Sequence, residues 1–452
     1  MYQPPEKQSR LRKHQKLPFF VGSLRIMIAA ACGLFLGWPP MVQAADLTLG
    51  NAIQRAAANQ AIVQQAVHVV AERMDLHRAA HADLMPSLSL IAGSIWSQTR
   101  NGQPLFVAAN APREIIGQVQ LNIPLYSPQV NALQALAHHQ MDVARCQEHE
   151  SRLLVAAQVT AAYYRLALWD NERAVWNSAL GAAQSLFKAT QQGYQIGSRS
   201  RLDLIQTQLM LTHIRGGLRQ AMVEAATARR VLALQTDYPL DELPKLATIT
   251  LPKAALPEEK VLDRQATHAQ PLLQAAGAEV QAARSLLQYH QAARLPVVGA
   301  VGAYGMDTGM LPQSHDLGWQ VGLTLHMPIF GFGRNRDRIA AAQEHLAAIE
   351  AGKQALLLHI QNRIATDYGA TQAALNALHN NQVVEQQAHV VYQMTRKGYL
   401  AGALSALALQ QAEKDWVQAR LKLAGAAIGV RLAKAQLTLD TGVLPQPSEG
   451  QS

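Results

Sequence analysis

The sequence predicts a mainly α-helical protein with a few amphipathic β-strands, built as two large copies of one plan. Three observations carry this prediction: an internal repeat, two long proline-free stretches with a heptad pattern, and segments that alternate apolar and polar residues. Two large copies give a pseudo-symmetric molecule, and such molecules are more often channels or scaffolds than compact enzymes.

The internal repeat is defined by four pairs of matching segments in the same order. Its best-marked member is a turn motif with Tyr, Gly, Ser and two Leu at the same relative places in both copies. The spacing between the copies falls from 210 residues at Pro86 to 204 at Pro124, so they differ there only in loop length. The matching pairs are 60–64 with 270–274, Pro86 with Pro296, 124–126 with 328–330, and 194–206 with 399–411.

The first 44 residues have the order of a secretory signal. Six basic side chains precede an apolar run from Ile26 to Trp38, and a small-x-small site follows at 42–44. An apolar run of roughly 13 residues is too short to span a bilayer as a helix. We therefore predict export, with cleavage near Ala44.

Composition narrows the function classes. The first 44 residues hold +5 of the formal net charge of +9. This leaves +4 for the rest of the chain, without a clustered basic face that could bind nucleic acid.

The cysteines and histidines also limit the possible sites. Cys32 lies in the signal, where its neighbours disfavour lipidation, and Cys146 then has no disulfide partner. His77 and His81 have a metal-ligand spacing but no third ligand nearby, which favours solvated surface histidines. No phosphate-binding or nucleophile motif stands out, so we predict neither an enzyme nor a cofactor.

Two long stretches without proline, 129–238 and 329–444, predict very long helices. A helix over 129–192 would be about 96 Å long at 1.5 Å per residue. Large apolar residues and alanine recur every seventh residue, which predicts helices packed along coiled-coil seams. Glycines at both ends of 193–197 and 398–402 predict the turns of two helical hairpins. The two heptad series are Leu204, Leu211, Leu218, Ala225 and Leu232, and Leu409, Trp416, Leu423, Val430 and Leu437.

The domain organisation follows from these features. Each copy is predicted to contain one helix, two strands and two long helices. Four prolines between residues 235 and 257 predict a linker between the copies. The predicted segments are a signal peptide at 1–44, the first copy at 45–234, the linker at 235–257, the second copy at 258–444 and a tail at 445–452.

The strands are predicted from a period of two. Segments 115–123 and 317–327 alternate apolar and polar residues, and a further strand is predicted just before each, at 87–97 and 297–306. Alternation places one face in an apolar medium and the other in a polar one, as in any half-buried sheet. Strands of about 8–11 residues are also long enough to cross a bilayer when tilted. Four strands cannot close a barrel, so membrane insertion would require several chains.

The duplicated plan and the twin Tyr-x-x-Gly-x-x-Ser-x-Leu-x-Leu turns resemble the TolC-like outer membrane efflux proteins. So do the Pro-Leu-Tyr and Pro-Ile-Phe corners at 124–126 and 328–330, the second of which is followed by Gly331-Phe-Gly333-Arg334. The resemblance covers nearly all of residues 46–444. It implies a mixed, mainly α fold: a trimeric β-barrel with four strands per chain, continuing into a long α-helical barrel.

The function that this resemblance implies is a passive exit duct in the bacterial outer membrane that extends into the periplasm. The duct would be a homotrimer in outer membrane lipid, and it would belong to a tripartite efflux or type I secretion system. It would receive cargo from an inner membrane pump through a periplasmic adaptor (membrane fusion) protein. The alternative is a periplasmic or cell-surface coiled-coil scaffold without a pore, which explains the heptads and the export but not the alternating strands.

The resemblance also implies a gate at the periplasmic tip, where family members join the two hairpins by hydrogen bonds and ion pairs. The family's linking aspartate corresponds to Asp203 and its tyrosine partner to Tyr399, which predicts a hydrogen bond between these two side chains. A capping role near the start of a helix is the alternative for Asp203.

Other gate positions of the family match this sequence less well. The position of the family's arginine holds Leu404, and the aspartates that line the family's entrance fall on the uncharged Ala408 and Gln411. Asp415, one heptad beyond Ala408, would supply an acid from deeper in the tube.

Three surfaces complete the predicted sites. The adaptor-docking tip comprises small residues that allow close helix approach, namely Gly197, Ser198, Gly402 and Ala403. The polar strand residues predicted to line the barrel lumen are Gln118, Gln120, Asn122, Gln320 and Thr324. The strand residues predicted to face lipid are Val119, Leu121, Ile123, Trp319, Val321 and Leu323.

Overall fold

The computed structural model describes residues 46–101, 103–105, 113–247, 255–308 and 317–445. The predicted signal peptide with Cys32, and all of the predicted tail except Pro445, lie outside the described residues. Residues 248–254 of the predicted linker also lie outside them.

Both copies fold into helices and strands in the predicted order. The first copy contains α1 (Leu49–Asn59), α2 (Ala61–Ala82), β1 (Ser87–Trp96), a short hairpin of β2 (Thr99–Arg100) and β3 (Gln103–Pro104), β4 (Arg113–Tyr126), α3 (Pro128–Gln195) and α4 (Arg201–Thr236). The second contains α5 (Glu259–Ala269), α6 (Pro271–Ala292), β5 (Val297–Thr308), β6 (Gly318–His326), α7 (Arg334–Leu400) and α8 (Ala406–Asp440). A short 3-10 helix at Leu240–Glu242 lies in the described part of the segment between the copies.

The two longest helices have 68 residues in α3 and 67 in α7, so each extends about 100 Å. α3 begins at Pro128, because a proline in the first turn of a helix gives up an N–H that has no helical acceptor. α3 and α4 form one antiparallel hairpin, and α7 and α8 form the other. The heptad positions Leu211, Leu232 and Leu409 are buried along these seams, as predicted.

The helix predicted at the start of each copy is broken in two, which sequence reasoning did not foresee. The break falls at Gln60 between α1 and α2, and at Gln270 between α5 and α6, where the backbone is extended. The Gln60 amide donates to the carbonyl oxygen of Gln235 at 2.8 Å, and the Gln270 amide donates to that of Asp440 at 3.1 Å. Each glutamine therefore ties the break to the end of its own hairpin.

The four longer strands form one antiparallel sheet in the order β1-β4-β5-β6, apart from the short hairpin of β2 and β3. Directly opposite residues share a face, so the register Val119–Tyr304–Trp319 defines one face and Gln120–Ala303–Gln320 defines the other. The five residues predicted to line the lumen all lie on the second face, and the six predicted to face lipid all lie on the first. On that first face Trp319 and Leu323 are 75% and 77% exposed.

Candidate functional site at the tips of the helical hairpins

The first hairpin turn is built around two glycines. Gly197 has φ of 76°, a left-handed conformation that only glycine adopts readily, and it ends α3. The amide groups of Ser198 and Arg199 then donate to the carbonyl oxygen of Gly193, at 2.8 and 3.1 Å. α4 starts beyond this turn with the side chain of Ser200 as its N-terminal cap.

The second hairpin turn repeats this backbone 205 residues later. Gly402 has φ of 79°, and the amide groups of Ala403 and Leu404 donate to the carbonyl oxygen of Gly398 at 2.9 and 3.3 Å. Ser405 caps α8 by accepting from the amide of Ala408 at 3.2 Å. The two tips therefore share one backbone design and differ in their side chains.

The side chain that covers each turn is the principal difference. A Cβ atom at Gly193 would lie 2.6 Å from Cγ of Arg199, and a Cβ atom at Gly398 would lie 2.6 Å from Cδ1 of Leu404. A larger residue at either place would therefore force the covering side chain to shift. The covering residue is a charged arginine in the first hairpin and an apolar leucine in the second.

Arg199 joins the two hairpins through Tyr399, a side chain that is only 1% exposed. The guanidinium carbon lies 4.3 Å from the centre of the Tyr399 ring, in cation–π geometry. Nη2 of Arg199 donates to the carbonyl oxygens of Tyr399 and Leu400, at 2.7 and 3.4 Å. The hydroxyl of Tyr399 pairs with Oγ1 of Thr190 on α3 at 2.9 Å. Two residues of the first hairpin therefore hold one tyrosine of the second.

The predicted hydrogen bond between Asp203 and Tyr399 is wrong. Asp203 accepts from the backbone amide and the hydroxyl of Ser200, at 3.1 and 2.8 Å, and its own amide donates to that hydroxyl at 3.1 Å. This reciprocal capping box engages the carboxylate within its own helix start. The alternative reading of Asp203 as a capping residue is the one that the structure shows.

The capping contacts also set the acidity of Asp203. Partial burial acts to raise its pKa, but hydrogen bonds from Ser200 and from the backbone of Ala406, with the charge of Arg199, lower the pKa below its ordinary value. Asp203 is therefore a carboxylate under ordinary conditions. Ala406 begins α8, so this carboxylate also faces the second hairpin.

The other predicted gate residues lie along the start of α8. Gln411 and Asp415 are both exposed on one face, and the Gln411 amide donates to Oδ1 of Asp415 at 2.9 Å. Ala408 occupies the place that corresponds to Asp203, so α8 lacks the acidic half of the capping box. The predicted role of Asp415 as an acid of the tube interior stays a prediction.

A buried carboxyl group lies in the apolar core between the hairpins. Glu413 is 1% exposed, and neither of its carboxyl oxygens has a hydrogen-bond partner. It stands four residues after Leu409 and four before Val417, so it shares their helix face and their apolar cluster. α3 and α4 contribute Val175, Ala179, Ala183, Leu186, Met210, Leu211 and Ile214 to this cluster.

The surroundings of Glu413 explain its acidity. Burial raises its pKa to about 7, although the charge of Arg396 on α7 acts in the opposite direction. Tyr392 of α7 also responds to Glu413: burial, followed by the charge of Glu413, raises the pKa of its phenol. Glu413, Thr190 and Arg199 were not singled out from the sequence. For Arg199 a signal was available, because the equivalent position of the second copy holds Leu404.

Other candidate sites lie away from the tips. His77 does not pair with His81; its ring lies 5.3 Å from that of His138, and its Nε2 lies 3.3 Å from the Gln134 amide nitrogen. Within the described residues, no group of three or more His, Cys, Asp or Glu is placed to hold a metal ion. None of the described helices is both long enough and apolar enough to cross a membrane.

The family model described as outer membrane efflux protein matches this chain over residues 52–236 and 262–443. The chain belongs to this family. The two matched segments begin within α1 and α5 and cover the remaining helices and strands of the two copies, which confirms the predicted family. The protein is thus an outer membrane efflux channel that extends into the periplasm, and it is a transport protein and not an enzyme.

Solved structures show the same fold. One is a crystal structure of CusC, from work on the conformational changes that accompany its folding and transmembrane channel formation. It has a TM-score of 0.75 at 18% identity, covering 88% of this chain and 92% of that chain. The outer membrane protein VceC of Vibrio cholerae has a TM-score of 0.72 at 17% identity, covering 88% and 96%. The CmeC outer membrane channel of Campylobacter jejuni has a TM-score of 0.72 at 15% identity, covering 89% and 87%. No curated protein matches this chain by sequence. These likenesses confirm the predicted TolC-like fold.

Proposed function

We propose that three copies of this efflux channel protein form the exit duct of a tripartite efflux or type I secretion system, opened at its tip by a periplasmic adaptor. The duct is passive, and the inner membrane pump supplies the energy and selects the cargo. The observation that carries this proposal is the sheet, which has one apolar face, one polar face and two open edges.

The sheet edges support a multichain barrel. Within the described residues, β1 pairs only with β4, and β6 pairs only with β5. Unpaired backbone groups cost several kcal/mol each in lipid, by order of magnitude, so an open edge is not stable in a membrane. Joining β6 of one chain to β1 of the next satisfies both edges, and three chains give a closed barrel of twelve strands.

The two faces of the sheet support the predicted lumen and lipid surfaces. The face with Gln118, Gln120 and Gln320 suits a water-filled lumen, since polar side chains keep their hydration there. The face with Val321 and Leu323 suits lipid, because transferring apolar surface from water to an apolar medium is favourable.

The tips support a gate that responds to an adaptor. Gly197, Ser198, Gly402 and Ala403 are all exposed at the turns, as adaptor docking requires. Leu202 and its repeat partner Leu407 are 63% and 59% exposed beside them. Small residues flanked by exposed leucines suit close packing of an amphipathic helical hairpin from an adaptor. Docking there would shift a closed population, held by Arg199 and Tyr399, to an open one.

Planar bilayer conductance of the purified full-length protein tests the duct, with its mass in detergent as a second readout. We expect a conducting trimer. Gln320→Arg and Val321→Arg form a matched pair of neighbours on opposite faces. The first should insert and change ion selectivity, whereas the second should lose insertion, because arginine on a lipid face costs about 2–4 kcal/mol at the bilayer centre. A detergent-independent monomer without conductance would show that the duct proposal is wrong.

The adaptor step has a separate test. Ala403→Trp places a bulky side chain on the exposed tip, at a residue that is not one of the hydrogen-bond partners of Arg199. We expect the variant duct to conduct as before in the bilayer and to lose adaptor-dependent efflux in cells. Unchanged efflux would count against docking at this surface.

A further inference from the structure

An arginine-rich corner lies where the sheet of the second copy meets its helices. β6 ends at His326, α7 begins at Arg334, and the loop between them carries exposed apolar side chains. A small concavity at this corner is lined by three arginines, Arg294, Arg334 and Arg336, with Phe330 and neighbouring loop residues. We propose that this corner binds the phosphate group of an anionic phospholipid in the periplasmic leaflet of the outer membrane.

The charges of the corner point to an anion. Arg336 pairs with Asp337 at 2.9 Å, but no carboxylate within the described residues pairs with Arg294 or Arg334. Both of these side chains are exposed. Arginine presents several donors in a planar fork that matches phosphate oxygens, so two unpaired arginines at one concavity suit a phosphate group.

The apolar part of the corner points to a lipid. Ile329 and Phe332 are 95% and 92% exposed, and the Phe330 and Phe332 rings meet edge to face at 4.7 Å. Phe332 also has φ of 48°, a left-handed backbone conformation that is strained for a bulky residue. Nothing within the described chain buries this ring in return. Aromatic side chains beside basic ones are typical of protein segments at the headgroup level of a membrane.

The first copy of the repeat shows that the fold does not need these charges. With the spacings of 210 and 204 residues, the three arginines correspond to Leu84, Val130 and Ala132. The first corner is therefore built without any of the three positive charges. The arginines serve something outside the corner's own folding.

The position of the corner fits the same partner. The protein lies in the outer membrane and extends into the periplasm, so the junction of strands and long helices marks the periplasmic membrane surface. The inference rests on this placement and on the proposed orientation of the duct, but not on the gate.

Lipid retention tests the site. The purified full-length protein is reconstituted in phosphatidylcholine with increasing phosphatidylglycerol, extracted, and the lipids kept per chain are counted by native mass spectrometry. We expect the wild type to retain phosphatidylglycerol in preference to phosphatidylcholine. The variant Arg294→Gln/Arg334→Gln should lower this preference roughly tenfold or more, since each basic residue at an anionic surface contributes on that scale.

Arg219→Gln/Arg230→Gln is the matched control, because it removes the same charge from exposed arginines of α4. It should leave retention unchanged. Phe332→Gly, which relieves the strained backbone and removes the ring, should lower retention while stabilising the protein in detergent.

Four outcomes would overturn the assignment: equal retention of the two lipids by the wild type, an equal loss in the control variant, release of the lipid by excess inorganic phosphate, or faster dissociation of the oligomer in place of lipid loss. The third would indicate a free-phosphate site, and the fourth a contact with a neighbouring chain. Conductance of the same samples separates this inference from the duct proposal. If the wild type conducts but shows no lipid preference, only the lipid site is rejected. If the wild type does not conduct, the duct proposal is rejected.

Discussion

The guanidinium of Arg199 lies over the ring of Tyr399 at 4.3 Å and donates to the carbonyl oxygen of the same residue at 2.7 Å. One residue belongs to the turn of the first hairpin and the other to the last turn of α7. Because the partners belong to different hairpins, this contact resists their separation. Leu404, which holds the equivalent place in the second turn, covers Gly398 of its own hairpin.

Arg199→Leu is expected to open the duct. The substitution gives the first hairpin the side chain of the second, so Gly193 stays covered while the cation–π contact and both hydrogen bonds are lost. These contacts contribute about 1 kcal/mol each, so the open fraction should rise roughly tenfold or more. Single-channel recordings in a planar bilayer measure that fraction.

Arg201→Leu is the control for this prediction. Arg201 is exposed at the start of α4, two residues away, and has no ion pair or hydrogen bond with another described side chain. The control should keep the wild-type open fraction. Equal open fractions for Arg199→Leu and the wild type would remove Arg199 from the gate.

Tyr399→Phe is expected to loosen the hairpins without removing the ring. It leaves Oγ1 of the buried Thr190 without its partner at 2.9 Å, which costs about 1–2 kcal/mol of stability. A fall in the midpoint of thermal unfolding in detergent checks this. Thr190→Val in the Tyr399→Phe background should cost less than Thr190→Val alone, because the two residues share one hydrogen bond. Additive losses would contradict that pairing.

Asp203→Ala is expected to destabilise the first turn of α4. Loss of the capping box costs about 1 kcal/mol at neutral pH, which faster hydrogen exchange of the nearby backbone amides would reveal. The pKa of Asp203 is lowered by folding, so its contribution is present above the unfolded value near 3.8. It is lost as the pH falls through the lower folded value, where wild type and variant should converge.

In the second hairpin the missing acidic residue of the capping box can be added instead of removed. Ala408→Asp places a carboxylate three residues after the cap Ser405, as Asp203 stands after Ser200. It should slow hydrogen exchange at the start of α8. Unaltered exchange in both variants would mean that the capping boxes do not set the stability of the tips.

Glu413→Gln is expected to make the protein less sensitive to pH. The pKa of Glu413 rises from 4.5 to about 7 on folding, so the folded chain keeps a proton that the unfolded chain releases. Stability therefore falls as the pH rises from 4.5 to about 7, and stays low above it. At about 1.4 kcal/mol per pKa unit, the ionised group costs on the order of 3 kcal/mol. Thermal unfolding midpoints across this range measure the effect.

The comparison of wild type with Glu413→Gln isolates this one group. This comparison is needed because Asp440 titrates in the same range: burial, and then a hydrogen bond with Asp367, raise its pKa to about 7. The two proteins should agree at acid pH, and the variant should be more stable at neutral pH. Glu344→Gln, at an exposed site of α7, should follow the wild type. Parallel curves for wild type and Glu413→Gln would show that Glu413 does not ionise in this range.

Period and repeat predicted much of the fold from the sequence. The alternation through Val119 and Gln120 predicted two faces correctly, because a strand has no other way to divide its side chains. The break at Gln60 was invisible, since glutamine is a good helix former and no glycine or proline stands beside it. The break at Gln270 had a local signal that was overlooked: Pro271 disfavours helical backbone at the residue before it and suits the first position of a new helix. Only the carbonyl groups of Gln235 and Asp440, far along the chain, give these glutamines their role.

The contacts between the hairpin tips were predicted less well than the fold. The structure places Tyr399 between the two hairpins, where its partners are Thr190 and Arg199 and not the predicted Asp203. The Asp203 carboxylate accepts from Ser200, three residues away, in a capping box, and its contact with the second hairpin is with the backbone of Ala406 and not with Tyr399. Arg199 was overlooked because the arginine was expected at Leu404, in the other copy of the same turn.

The unlike residues at positions 199 and 404 have a consequence for the symmetry of the proposed trimer. Six nearly identical hairpin turns would surround its mouth, yet only alternate turns would carry an arginine that grips a neighbour. The closed ring would then be held by the Arg199–Tyr399 contact at three places, and the three junctions between them would lack this contact. Opening would then have three-fold and not six-fold symmetry, because three of the contacts between neighbouring hairpins contain an arginine that must be released and the other three do not.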